Sequence, residues 1–287
     1  MGEPMEIIVG KTAGFCYGVK RAVEGAIEEL NNHKKIDCLG EIVHNQQVIK
    51  ELENQGLQII DKIEDSIGTT IIRAHGIPKE IYEIAEQNKI EIKDYTCPNV
   101  LKIHKIVEEY SKNGYYIFLC GSGKHPENIG TISYCNEHYS IIETEEDIEE
   151  AINCLQRSKM KKLLVMAQTT YSLQKFYKIE KMINEKLSED VEIIVKNTIC
   201  KATELRQKET EELSQKVDYM IIIGGKNSSN TKKLYEIAKE KCTNSVCVET
   251  EEELDLEDIK RHERIGIMAG ASTPQDSIIK VVQAIEK

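Results

Sequence analysis

Short apolar runs alternate with stretches of helical periodicity along the chain, and each apolar run ends near a small polar cluster. EIIV at 6–9 reads as a buried strand, and Val19, Val23, Ala26, Ile27 and Leu30 then recur at the spacing of one helix face. DCLGEIV predicts the next strand, the residues around Val48 to Leu52 a helix, TTIIRA a strand, the stretch from Pro78 a helix, and EIKDYT a strand. The order repeats as helix 98–111, strand YYIFLCG, a longer excursion to 160, strand KKLLVMA, helix 172–187 and strand EIIVK. It repeats once more as a helix through Leu205 and Leu213, strand DYMIIIG, a helix from 231, strand RIGIMAG and a helix from Pro274. Strands separated by helices in this way predict an α/β fold of small parallel sheets with right-handed crossovers.

The polar clusters are themselves periodic. Cys16, Cys97 and Cys200 each follow a strand, and 28 positions after them stand His44, His125 and Ser228. A second cluster in each unit holds His75 (RAHGIP), Thr169 (AQTTYS) and Ser272 (AGASTP). The step from His125 to Thr169 equals that from Ser228 to Ser272, 44 positions, whereas His44 to His75 is only 31. This is a threefold internal repeat. It predicts three similar α/β domains at 10–96, 97–197 and 198–287. No strand follows the last helix, so the N-terminal strand at 5–9 is expected to complete the third sheet and to close the units into a ring. Ligands of such sheets bind beyond the carboxyl ends of the strands, where all these clusters lie. Four of the five prolines (Pro78, Pro98, Pro126, Pro274) stand one to three positions after a cluster residue, where a helix starts.

Composition narrows the function. With 287 residues, 40% apolar and 30% charged, the chain is an ordinary soluble globular protein. A net charge of −11 argues against a nucleic-acid surface, and 5% aromatic content without Trp leaves few stacking platforms. No apolar run approaches the ~18 residues that span a bilayer. MGEPMEIIVG lacks the basic and apolar regions of a signal peptide, so a cytoplasmic setting is expected, with nine cysteines that stay reduced. Nothing after the last helix predicts an appended domain.

Cys38, Cys120, Cys135, Cys154, Cys242 and Cys247 read as small buried hydrophobes. Cys16, Cys97 and Cys200 differ because each heads a helix, whose dipole favours thiolate. Zinc fits poorly: structural zinc takes four ligands, often in C-x-x-C pairs, and the chain has none. Three converging thiolates suit an iron–sulfur cluster and leave one iron open. The loop donors His44, His75, His125, Thr169, Ser228, Ser229, Asn230 and Ser272 lie beside helix starts, which suits a phosphate, although each alone could be a cap or a surface residue. No P-loop and no helix-opening G-x-G-x-x-G is present, so a nucleotide cofactor is not indicated. Glu127, in HPE, is the one carboxylate within these loops; it is either a general acid with a raised pKa or a complement to a helix dipole. An acid, an open iron and an anion site together suggest reductive or eliminative removal of a hydroxyl.

GFCYGV, EIVHN, RAHGIP, DYTCP, HPENIG, QTT, TIC, GKNSSNT and AGASTP, taken in order from about residue 6 to the end, resemble the 4-hydroxy-3-methylbut-2-enyl diphosphate reductase family. The resemblance implies a pseudo-threefold trefoil around a central [4Fe–4S] cluster held by Cys16, Cys97 and Cys200. It implies a diphosphate site at His44, His75, His125, Ser228, Ser229, Asn230 and Ser272. It also implies a catalytic set of Glu127 as proton donor, Thr169 beside the substrate hydroxyl, and His125. Such enzymes expel the hydroxyl as water and form isopentenyl and dimethylallyl diphosphates, with electrons from ferredoxin or flavodoxin. Lys124 before His125, and Tyr95 where a small residue is common, are the departures. The alternatives are a cluster-dependent dehydratase without net reduction and a non-catalytic iron–sulfur sensor.

Overall fold

The computed structural model describes residues 5–33 and 35–287. In chain order the first elements are β1 (Glu6–Val9), α1 (Tyr17–Asn32), β2 (Ile36–Leu39), α2 (Gln46–Asn54), β3 (Leu57–Ile60), β4 (Thr69–Ile72), α3 (Lys79–Gln87) and β5 (Glu91–Asp94). They are followed by α4 (Pro98–Lys112), β6 (Tyr116–Cys120), α5 (Pro126–Ile132), β7 (Tyr139–Ile142), α6 (Ile148–Ser158), β8 (Lys162–Ala167), α7 (Leu173–Lys186) and β9 (Glu192–Val195). The last group is α8 (Lys201–Ser214), β10 (Tyr219–Ile223), α9 (Ser229–Lys241), β11 (Ser245–Val248), α10 (Leu256–Ile259), β12 (Arg264–Ala269) and α11 (Gln275–Ile285).

Among the described residues the strands form three four-stranded, all-parallel sheets with one common order: β3-β2-β4-β5, β7-β6-β8-β9 and β11-β10-β12-β1. As expected from the missing strand, β1 takes the fourth place of the third sheet, with Glu6 beside Arg264 and Val9 beside Ile267. In each sheet the connection reverses direction between the two central strands, the switch point at which ligand crevices open. The chain divides into two compact units. One holds the residues up to Val23 with Val43–Gln55 and Lys201–Lys287, and so the third sheet; the other holds Glu24–Ile42 and Gly56–Cys200, and so the first two.

The central strands of the second and third sheets are apolar after their first residues, and their alternation sends side chains to both faces, whereas β2 and β4 of the first sheet carry the buried polar residues Asp37 and Thr70. In the second sheet Tyr116, Phe118, Cys120, Leu163, Val165 and Ala167 pack on Ile148, Ile152, Leu155, Phe176 and Ile179 of α6 and α7. Ile117, Leu119, Leu164 and Met166 face the other way, onto Ile103 and Val107 of α4. Phe118, on the face covered by α6 and α7, is fully buried, and truncation to Ala would cost about 3–5 kcal/mol. The third sheet repeats the sandwich, with Ile221, Ile223, Ile265 and Ile267 against α11 and Met220, Ile222 and Met268 against α8 and α9.

Three expectations need correction. The strand expected over DCLGEIV stops at Leu39, because Gly40 turns the chain with φ +71 and a Cβ there would lie 2.7 Å from the Arg73 guanidinium. The outer strands β3, β7 and β11 and the helices α6 and α10 were not anticipated. LQII, YSII and SVCV are four-residue edge strands only partly buried, so they carry little apolar signal. The extra helices α6 and α10 follow a short 3₁₀ turn after β7 and β11; after β3 the same turn leads to β4 without a helix, which explains the shorter spacing between His44 and His75. Finally, Leu205 is 48% exposed, and α8 buries a largely polar face of Thr203, Arg206, Gln207 and Thr210. The unusual Tyr95 is accommodated at Gly25 of α1, where any Cβ would come within 2.1 Å of its ring.

Candidate active site

Each motif cysteine stands immediately before a helix: Cys16 before α1, Cys97 as the N-cap of α4 and Cys200 before α8. A backbone hydrogen bond pins each turn to the second polar loop of a sheet. The amide of Cys97 donates to the Ala74 carbonyl (3.0 Å), that of Cys200 to Thr169 (3.0 Å) and that of Cys16 to Ala271 (3.1 Å). The three thiols are half-buried, and among the described residues no cysteine is in a disulfide. By contrast, Cys38 and Cys120 lie inside strands, where burial pushes both thiols up, Cys38 to about 12, and holds them as inert core.

In the unit that carries the first two sheets, the loop after β6 turns into α5 at His125. His125 caps that helix: its Nδ1 accepts from the Glu127 amide at 3.2 Å, so in the neutral ring the proton sits on Nε2. His75 meets it edge-to-face, ring centroids 5.3 Å apart at 85°. Glu127 is 2% exposed. Its Oε1 accepts from the Thr169 amide at 2.7 Å, and its Oε2 pairs with the Thr169 hydroxyl at 2.5 Å. Desolvation pushes this carboxyl from 4.5 up to about 7, against the two Thr169 hydrogen bonds that favour the anion. A carboxyl raised this far can hold a proton near neutral pH, and Thr169 links it to the turn of Cys200 through its own carbonyl.

In the other unit, Ser228 caps α9 by accepting from the Thr231 amide at 3.3 Å, and Ser229 opens that helix. Asn230 is 3% exposed, yet both its Oδ1 and its Nδ2 lack a partner. A buried amide with unused donors and acceptor marks a place where a polar ligand would supply them. Ser272 Oγ donates to the His44 carbonyl at 3.3 Å, and Asn45 next to it caps α2 through the amides of Gln47 and Val48. Gly225 supports the same carbonyl closely: a Cβ there would lie 2.3 Å from His44 O.

Thus one unit brings together His75, His125, Glu127 and Thr169, with Cys97 and Cys200 on adjoining turns. The other brings together His44, Ser228, Ser229, Asn230 and Ser272, with Cys16. Several supporting residues escaped the sequence reading. Glu209 accepts from the Lys11 and Thr12 amides (2.7 and 2.8 Å), and buried Arg206 donates to the carbonyls of Thr12 and Gly14 (both 2.9 Å). Together they grip the loop that leads to Cys16. Asn128 donates to Ser122 O and Gln168 Oε1, joining the loops of His125 and Thr169. His104 of α4 lies behind Gly76, buried and stacked on Tyr134 at 4.5 Å, with neither ring nitrogen partnered; burial lowers it to about 4. The only sequence hint was negative: polar residues at the inward positions of α8 and α4.

The chain is similar over nearly its whole length to known proteins. The pattern of the family described as "LytB protein" matches residues 7–286. A 4-hydroxy-3-methylbut-2-enyl diphosphate reductase of Caldanaerobacter subterraneus subsp. tengcongensis is 43% identical, over 98% of this chain and 97% of that one. The namesake from Aquifex aeolicus is also 43% identical, over 98% and 95%. A solved structure of (E)-4-hydroxy-3-methyl-but-2-enyl diphosphate reductase, described as the terminal enzyme of the non-mevalonate pathway, is 41% identical with a TM-score of 0.71, covering 98% of this chain and 99% of that one. That of the Plasmodium falciparum E-1-hydroxy-2-methyl-but-2-enyl-4-diphosphate reductase is 32% identical with a TM-score of 0.90, covering 99% and 89%. Repeat, parallel sheets and full-length likeness together mean that the chain belongs to the LytB protein family.

Proposed function

We propose that this chain reduces (E)-4-hydroxy-3-methylbut-2-enyl diphosphate to isopentenyl and dimethylallyl diphosphates and water. The observation that carries the reading is the buried Glu127–Thr169 pair, a carboxyl able to hold a proton at neutral pH and bonded to a hydroxyl. Overall the substrate's C–O bond breaks, two electrons and two protons are taken up, and the hydroxyl leaves as water. Glu127 holds the proton for the departing hydroxyl. When Glu127 is protonated its acid proton can bond to Thr169 Oγ1, which frees the threonine proton to be donated onward. His125, with its proton on Nε2, is the third member of the catalytic set.

His44, His75, His125, Ser228, Ser229, Asn230 and Ser272 are assigned to the diphosphate. Unpartnered Asn230 and the capping Ser228 at the start of α9 suit an anion. Cys16, Cys97 and Cys200 fit a [4Fe–4S] cluster: each is a half-buried free thiol heading a helix, and each turn is held by its own backbone. Three repeats supply three thiols and no fourth, so one iron would lack a protein ligand. Such a cluster, when bound, supplies the electrons one at a time. Ferredoxin or flavodoxin is assigned as their source, the cytoplasm as the setting, and 10–96, 97–197 and 198–287 with 5–9 as the domains; among the described residues no helix is long and apolar enough to cross a membrane.

The test is anaerobic protein assayed for iron, sulfide and product, with and without a one-electron reductant. Two-electron-reduced products that appear only with reductant support the assignment. Dehydrated product without reductant would make the chain a dehydratase, and spectra unchanged by the allylic diphosphate would leave it a sensor.

A further inference from the structure

Asn99 is the second residue of α4, two positions after Cys97, yet its side chain is turned toward a different cysteine. Asn99 Nδ2 lies 3.1 Å from Cys200 Sγ, as short as an ordinary N–H···O bond although sulfur is the larger acceptor. The two residues are 101 positions apart and belong to the same compact unit. Sulfur chemistry decides which end of the amide faces it. A sulfur that ligates a metal carries no proton, so Oδ1 would meet it lone pair to lone pair, while the NH₂ group donates. The repeat provides an internal comparison. The residues two positions after the other cysteines are Gly18 and Ala202, which have no side-chain donor. Of the three equivalent positions, only this one can donate from its side chain.

A donor on a ligating sulfur has a predictable effect. Reduction places more negative charge on the cluster sulfurs, so the hydrogen bond strengthens in the reduced state and raises the reduction potential. Resting on the assignment of Cys200 as a cluster ligand, we propose that Asn99 tunes this chain's cluster toward the reduced state by donating to Cys200 Sγ. It is a positioning and tuning residue and is not required to touch substrate. A helix-start asparagine that merely favours α4 is the bland alternative, and it makes no claim on the potential.

The experiment is a redox titration of the reconstituted holoprotein, followed by electron paramagnetic resonance, for the wild type, Asn99→Leu, Asn99→Asp and Asn99→Gln. Leu has similar volume and no donor. At the wild-type midpoint its reduced-to-oxidised ratio should fall roughly three- to tenfold, the size of one net hydrogen bond. Asp, which adds negative charge, should fall further, and Gln, which keeps the amide, should recover part of the loss. Iron content should match the wild type in all three. An unchanged ratio in Asn99→Leu at full iron content overturns the proposal. So does iron loss in Leu and Asp alike, which would show the bond holding the turn rather than setting the potential. Wild-type protein that binds no cluster would instead remove the ligand assignment beneath it, an outcome visible before any variant is made.

Discussion

Glu127→Gln separates a proton-holding acid from a helix-dipole partner. Gln is nearly isosteric with the protonated acid. Its Oε1 can accept from the Thr169 amide and its Nε2 can donate to Thr169 Oγ1, so both bonds seen for Glu127 survive. The carboxyl rises from 4.5 to about 7 on folding, and at about 1.4 kcal/mol per unit the coupling to stability is about 3 kcal/mol. Its sign follows from proton binding. The folded state holds the proton more tightly than the unfolded one, so this contribution is complete below about pH 4.5. It falls away between 4.5 and 7 and is absent above 7. Gln never titrates. Paired unfolding measurements of wild type and variant across pH 5 to 8 should therefore open a gap in favour of the variant, small at the acid end and about 3 kcal/mol above pH 7. The difference between the two proteins cancels every other titrating group. Turnover should fall about 10²–10⁴-fold at the same time. A gap that does not change with pH, or one that favours the wild type as pH rises, would refute the raised pKa; retained turnover would remove Glu127 from the chemistry.

His104→Phe keeps the stack on Tyr134 and removes two unpartnered nitrogens; because burial lowers His104 to about 4, wild type should lose stability relative to the variant as pH falls from about 6.5 toward 4, readable in thermal melts. Arg206→Leu leaves the Thr12 and Gly14 carbonyls without that donor, at about 1–3 kcal/mol for each group left unsatisfied, and should speed hydrogen exchange over residues 10–16 more than elsewhere. Gly225→Ala drives a methyl into the His44 carbonyl and should raise KM for the diphosphate at least tenfold while the holoprotein's absorbance is unchanged; an unaltered KM would remove the His44 loop from substrate binding.

The central strands were legible because continuous runs such as YMIII and KLLVMA are buried on both faces, whereas LQII, YSII and SVCV at the margins bury only part of each strand. The constant step of 28 from cysteine to polar loop now has a physical content, one helix plus one central strand, as in α4 with β6 and α8 with β10. Contacts that cross the sequence were the illegible part. Nothing local in Glu127 points to Thr169, and nothing in Asn99 points to Cys200; the first pair joins the loops after the adjacent strands β6 and β8, and the second joins the turns after β5 and β9, edge strands of two different sheets. The polar inward face of α8 misled for a related reason: apolar periodicity finds helices that cover a sheet, and Arg206 and Glu209 instead hold a loop by its backbone.

The pairing of β1 with β12 imposes an order on biosynthesis. Glu6 emerges from the ribosome long before its partner Arg264, and at about 5–20 residues per second β1 waits roughly 13–50 s for the strand that receives it. The Cys16 turn is completed later still in the chain, since its amide is held by the carbonyl of Ala271. Cys97 and Cys200 find their backbone partners, Ala74 and Thr169, in segments already made. Of these three thiols the first synthesised is thus the last to have its turn seated, and the set of three backbone-held turns is incomplete until translation has passed Ala271.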